Sequence, residues 1–584
     1  MTIKKFFGWA FPISFFMIFG IFVWVGYTSI QAQYEMNKVR LKILQLQNDP
    51  DNVSPQDLAE AISDFRKNIA AANHYTSGPM WWIARRIPYL GRTPAAIQTL
   101  TKNLNAVMQN SQALEYELRQ PTFSSEKIYN AQFFANLLEH TTEVKPAFQT
   151  GAHEFKQLNY SGVPGFIAKP VQQVGEGFIS LAPLVSDAAI FKQVVPSLFG
   201  FDQPRTWMLV FLNGAEARSI GGFPGGWGIL NVSRGHLSLT EVNDDVKINL
   251  QSLQNWNRYV STDQAALYGD DLSRWSDMNL SPDFPTNARL MSALLLQSTG
   301  LKVDGVLTMN EHALASMLAV TGPIKQGNAV LTQNNVEKYV TQGIYQDYQN
   351  GKEKNSAILG IIEQVFAKLS GGAGGPIGAF RAFIPPVQDR NIQLWSSNSD
   401  VEKHLITLPA GGSLSDVENP THAVVMINGA GNKIDSYIKT DVQLQQGICQ
   451  MDAPYRNSFM RISFNNQAPT QGLPNYVIPR ADLLRKSNKY HGSTKMIAYI
   501  HAPLGAEVTE ATLNDKLVSL IDSGIDSNRQ VWRFDLELPA KSESVFFLKF
   551  DEPAVGDEVP PMLWTQIMAN SVTKKVTLGP RCIR

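Results

Sequence analysis

The residues able to do chemistry gather around one short stretch. From Arg205 to Val232 the chain reads RTWMLVFLNGAEARSIGGFPGGWGILNV. The apolar run Trp207 to Leu212 predicts a buried strand, and a second strand is expected from Ile229 to Val232. Between them lie Asn213, Glu216 and Arg218, then Gly221 and Gly222 at the start of a glycine-dense corner. Glycine at that density is costly unless backbone bends into positive φ or approaches something closely. An arginine fork and an asparagine beside such a bend offer donors to an anion. Further on, Asp270, Asp271 and Asp277 surround Arg274, and Asp304 opens the run VDGV. Arg218, Asp270 and Asp277 form a candidate catalytic set. Asn213, Glu216, Arg218, Gly221, Gly222, Arg274 and Asp304 are candidate ligand-binding residues. Asp270, Asp271 and Asp277 are the acids that would hold a Mg²⁺ ion. A structural reading competes: the same charges form ion pairs that hold loops together.

Other chemistries find little support. No G-x-S-x-G elbow, P-loop or dinucleotide fingerprint sits between a strand and a helix. The S-x-x-K run at Ser124 to Lys127 lacks a following K-T-G, which argues against penicillin binding. Two cysteines and 9 scattered histidines leave no zinc motif. With Lys+Arg 51 against Asp+Glu 51, the net charge of +0 supplies no basic footprint for nucleic acid. In an exported chain Cys449 and Cys582 are free to pair, closing a loop of about 130 residues; two free thiols are the alternative.

The elements that must position these residues divide the chain into an α+β multidomain protein. Phe6 to Tyr34 contains no charged side chain. Its apolar part, residues 6–30, would be about 37 Å long as a helix, enough to cross a bilayer. Trp9, Trp24 and Tyr27 stand near its ends as interfacial anchors do. Its length and lack of an A-x-A site favour an uncleaved anchor over a signal peptide. With Lys4 and Lys5 inside, the expectation is a single-pass inner-membrane protein whose bulk is extracytoplasmic.

Residues 31–197 read as helical, with Ser54 and Asp57 as a weak capping pair and helices at about 98–119, 129–157 and 168–195. Trp81, Trp82, Arg85, Arg86 and Tyr89 suggest either a membrane-surface contact or the ordinary packing of an aromatic helix end. Residues 198–418 read as an α/β domain. In 419–584 the period switches to two, predicting an antiparallel β-sandwich.

The pattern N-x-x-E-x-R-x-x-GGF-x-G, present here as NGAEARSIGGFPG, resembles the signature of the bacterial domain-of-unknown-function family 4012. IPYLGRTPAAIQTL, the DFP turn, VDGV, the TGP stop, RNIQLWSSNSDVEKHL and NNQAPTQGLPNYV resemble it too, from about Pro79 onward. The order of elements also resembles that of the LytR-CpsA-Psr phosphotransferases. That resemblance implies an exported enzyme acting on polyprenyl-phosphate-linked glycan, with Arg218 clamping phosphate. VNDDVKIN, where those proteins carry a second arginine, supplies acids only. The resemblances thus leave two functions: an anchored envelope scaffold or binding protein with other envelope proteins or glycan as partners, and a phosphotransferase.

Overall fold

The computed structural model describes residues 3–48, 55–119, 131–348, 350–371, 373, 375–414, 421–450, 455–483, 490–554, 561–580 and 582. Ser54 and the Ser124 to Lys127 motif lie outside them. The chain forms two compact units, Met1–Pro196 and Ser197–Arg584.

The described residues of the first unit form helices: Ile3–Asn48, Pro55–Thr76, Pro79–Ala84, Arg92–Gln109, Gln112–Leu118, Ala131–Lys156 and Gly165–Leu198. Ala96, Val107, Ala152, Phe155, Val171 and Phe178 make one of its cores. The single helix expected over 98–119 is broken, because the backbone N–H of Asn110 and the Ser111 hydroxyl both turn back onto Met108 and its neighbour. Residues 6–30 are helical within Ile3–Asn48. Among the described residues, Gly165–Leu198 is long and apolar enough to cross a membrane, yet it also puts Val171 and Phe178 into the helical core.

The second unit is built on three larger sheets. The first contains β1 (Arg205–Asn213), β2 (Phe223–Ser233), β3 (His236–Asp244), β4 (Gly305–Met309) and, beyond the small hairpin β5 (Ile324–Gln326) and β6 (Ala329–Leu331), β7 (Ile392–Ser396). Its order is β3-β2-β1-β4-β7, and only β1 with β4 runs parallel. It is a mixed sheet because short connections return β2 and β3 antiparallel. The second strand of the hairpin begins at Phe223, so most of the expected glycine corner is strand. At Gly226 an added Cβ would meet Asn243 O and Leu359 Cδ2 at 3.0 and 3.2 Å, which explains glycine there.

The sandwich comprises β8 (Thr421–Asn428), β9 (Ile438–Cys449), β10 (Tyr455–Asn466), β11 (Thr494–Pro503), β12 (Glu507–Leu513), β13 (Lys516–Leu517), β14 (Asp522–Asp526), β15 (Arg529–Leu538), β16 (Ser542–Pro553), β17 (Met562–Thr565) and β18 (Thr573–Thr577). Its sheets run β13-β12-β16-β10-β9-β18 and β14-β15-β11-β8-β17. The tail corrects the purely antiparallel expectation: β17 joins β8 and β18 joins β9 in parallel, each at an edge. Cys449 and Cys582 are joined in a disulfide, which ties that tail to β9.

One sheet serves two cores. Val424 and Met426 point into the sandwich interior with Phe464, Phe534 and Phe550. The alternate residues Val425 and Ile427 pack against Met208, Trp227 and Met291 of the mixed-sheet region. A strand buried on both faces must be apolar throughout, and AVVMI in β8 is. This sharing fuses the mixed sheet and the sandwich into one unit.

Candidate functional site

The turn after β1 carries Arg218, and its environment is already complete. Arg218 is 5% exposed. Nε donates to Ser276 O at 3.2 Å, Nη1 to Ala217 O and Asn428 O at 3.0 and 3.2 Å, and Nη2 to Glu216 Oε1 at 2.8 Å. Asp277 Oδ1 lies 3.8 Å away. Burial pushes the guanidinium below its usual range, while Asp277 and Asp435 pull it back up. Glu216 is shared with Lys433, which it contacts through Oε2. Asp435 Oδ2 accepts from Ala217 N at 2.7 Å and from Asn428 Nδ2 at 2.8 Å. Gly222, at φ +141, is needed because an added Cβ would run into the Asn213 backbone. These contacts bind the β1–β2 turn to the end of β8. Arg218 is thus a buried ion-pair member whose guanidinium is taken up by Glu216 and three carbonyls.

Of the remaining candidates, Asp277 borders Arg218 and links it to Arg274 and Asp271, whereas Asp270 and Asp304 stand apart. Arg274 bridges Asp271 and Asp277, at 3.1 Å from Asp277 Oδ2. Asp270 is exposed in the preceding 3-10 turn. Among the described residues no group of three or more His, Cys, Asp or Glu side chains is placed to hold a metal. Asp304 accepts from Thr206 N at 2.8 Å and pairs with Arg205, at the opposite end of β1 from Arg218. Four of the expected binding residues, Asn213, Glu216, Arg218 and Gly222, do meet at the turn; Gly221, at φ +116, borders it.

Beside that turn, at the carboxyl ends of β1 and β4, is a cavity of ≈ 160 Å³. Ligands in sheets with parallel strands favour this edge. Asn213, Phe223, Asp245, Glu311, Lys354, Lys433 and Tyr476 line its polar and aromatic parts. Leu314, Ile358 and Ile362 supply an apolar floor. Lys354, buried on the helix Gly351–Ser370, has no ion-pair partner among the described residues. Its ammonium sits over the Tyr476 ring at 4.9 Å. Burial lowers its pKa, against the pull of Asp245 and Asp244. Burial likewise pushes Asp245 up to about 6. Tyr476 stacks on Tyr345 at 5.6 Å, and the Tyr345 hydroxyl accepts from Asn213 Nδ2 at 3.0 Å.

Glu311 begins the helix Glu311–Thr321 directly after β4. Its Oε2 accepts from Gly214 N at 3.2 Å, whereas Oε1 is buried without a hydrogen-bond partner. Burial raises its pKa, against the pull of His312 and of the Gly214 N–H. Glu311 and Lys354 are therefore buried polar residues that line one cavity, and among the described residues each has spare hydrogen-bonding capacity. The sequence reading missed both. A signal existed for Glu311: the strand-to-helix junction VLTMNEHALA puts an acid where the first helical turn meets the end of a buried strand.

The fold and site define a class: a mixed sheet fused to a β-sandwich, with a ring-sized polar cavity at the strand ends. Within it, residues 202–345 match a family described as "Protein of unknown function (DUF4012)". No curated protein matches the chain. Among solved structures, a two-domain M1 zinc metallopeptidase bound to L-tryptophan shares 10% identity over 20% of each chain with a TM-score of 0.12, a likeness too slight to carry an argument.

Proposed function

We propose that the chain is a membrane-anchored, extracytoplasmic binding protein of the bacterial cell envelope, and that the strand-end cavity holds one neutral, hydroxylated six-membered ring: a single sugar residue. The observation that carries this reading is the placement of Lys354 and Glu311 on one cavity, a donor and an acceptor with spare hydrogen-bonding capacity among the described residues. Its size supports a single ring, since a cavity of ~150 Å³ accommodates benzene. Tyr476 and Phe223 offer faces on which an apolar ring side would lie. Two acids and two lysines around the space favour a ligand without net charge. The charge-free span of residues 6–30 supports the anchor. A phosphotransferase would need an arginine free to clamp phosphate, and Arg218 is already engaged by Glu216 and three carbonyls.

The test is a thermal-shift and binding panel on the full chain with glucose, N-acetylglucosamine, glucuronate and inorganic phosphate. A neutral sugar should raise the melting temperature and bind saturably, with binding at least tenfold weaker in Lys354→Met. Stabilisation by phosphate alone, or equal sugar binding by the variant, contradicts the reading.

A further inference from the structure

The short helix Pro79–Ala84 lies against the first helix at a definite height. Trp81, 1% exposed, packs with Val25 and Ile21, and its Nε1 donates to Thr28 Oγ1 at 3.0 Å. Residues 21–28 belong to the last part of the apolar stretch that ends at Ile30. While Trp81 turns inward, Met80, Trp82, Ile83, Tyr89 and Leu90 are exposed. On the first helix Val23, Trp24, Tyr27 and Ile30 are exposed too. So many large apolar side chains in one neighbourhood are unusual on a surface that faces only water.

The charges of this neighbourhood are one-sided. From Pro79 to Leu100 there are three arginines, Arg85, Arg86 and Arg92, and no acid. Arg86 stacks on Trp82 at 3.7 Å and Arg92 lies over Tyr89 at 5.3 Å, so each cationic head travels with an aromatic ring. Tryptophan and tyrosine bodies with arginine heads suit the boundary between acyl chains and phosphates.

We infer that residues 79–92 form a membrane-seated foot: Met80, Trp82, Tyr89 and Leu90 enter the lipid interface beside the span, and Arg85, Arg86 and Arg92 meet lipid phosphates. This rests on the reading of residues 6–30 as a membrane span. The occupant of the patch is the bilayer itself, since the patch continues an apolar surface already at the end of that span.

Site-directed spin labelling tests it. Cys449 and Cys582 are bonded to each other, so a cysteine introduced elsewhere can be labelled alone. Trp24→Cys, Trp82→Cys, Tyr89→Cys and, as an exposed control, Tyr116→Cys are each placed in the full chain and reconstituted in nanodiscs containing anionic lipid. Collision with oxygen should exceed collision with a water-soluble nickel chelate severalfold at 24, 82 and 89, and the order should reverse at 116. Nickel dominance at 82 and 89 with position 24 in lipid overturns the foot and leaves the span standing. Nickel dominance at 24 as well removes the span and the foot together. Shielding of 82 and 89 from both reagents means that a second copy of the chain covers the patch, which also overturns the proposal.

Discussion

Two charged clusters stand side by side at the end of β1, and they differ in how completely they are satisfied. Around Arg218, a carboxylate and three carbonyls take up the guanidinium, and Glu216 is shared with Lys433. Around the cavity, Lys354 has no ion pair among the described residues and Glu311 leaves Oε1 unpartnered. A buried charge with all its contacts made holds elements together, and removing it exposes its partners to an uncompensated cost. A buried polar group with spare contacts is already paying desolvation, so a ligand that supplies the missing contact gains from it. Residue type alone does not distinguish the two cases.

The largest expected effect comes from breaking the satisfied cluster. Arg218→Met should destabilise the second unit by about 3–5 kcal/mol, because it leaves Lys433 alone to balance the carboxylates of Glu216, Asp277 and Asp435 and strips three carbonyls of a donor. The midpoint of denaturant unfolding measures it. Arg218→Lys should lose much of that stability too, since one ammonium cannot reach both sides of the fork. A fully stable Lys variant would dissolve the contrast between the clusters.

A smaller, pH-dependent effect is expected next to Glu311. The His312 ring is engaged at both nitrogens, by Glu337 at 3.0 Å and Met568 O at 3.1 Å. Burial pulls its pKa down, but Glu337 and Glu311 outweigh it and hold the imidazolium up to about 9. Because this folded value exceeds the unfolded one, the stabilisation is complete below about pH 6.5 and lost as pH rises through about 9. Its size is on the order of 3 kcal/mol. Unfolding free energies between pH 6 and 10 should show that fall, and His312→Gln should flatten it.

The smallest stability effects are expected at the cavity. Lys354→Met should change stability by less than about 1 kcal/mol, or raise it, because an unpaired buried charge is replaced by an apolar chain of similar length. Glu311→Gln keeps the acceptor for Gly214 N and should be comparably mild, while both variants weaken ligand binding. A loss of several kcal/mol from Lys354→Met would show that the lysine is a strut like Arg218.

The sequence carried much of the architecture. Alternation in β9, β10, β15 and β16 made the sandwich readable, and the helical spacing of Leu58, Ile62, Phe65 and Ile69 made the helix Pro55–Thr76 readable. The turn was legible as a special place because Gly222 needs positive φ. Its role was not, since Asn428, Lys433 and Asp435 reach Arg218, Glu216 and Ala217 respectively from more than 200 positions away. Asp304 illustrates the same limit: a strand joins it to the right sheet but at the wrong end. Lys354 lies in GKEKNSAILG, where nothing local separates it from the neighbouring surface lysines. Burial and the missing partner are properties of tertiary contact.

The most direct measurement is the position of a bound monosaccharide in a crystal structure of the protein at saturating sugar. The account predicts the ring over Tyr476, with a hydroxyl on Lys354 Nζ and the ring edge against the Glu311 side chain, and the Arg218 contacts unchanged. A sugar or anion bound instead to a displaced Arg218, with the strand-end cavity empty at saturation, would contradict it.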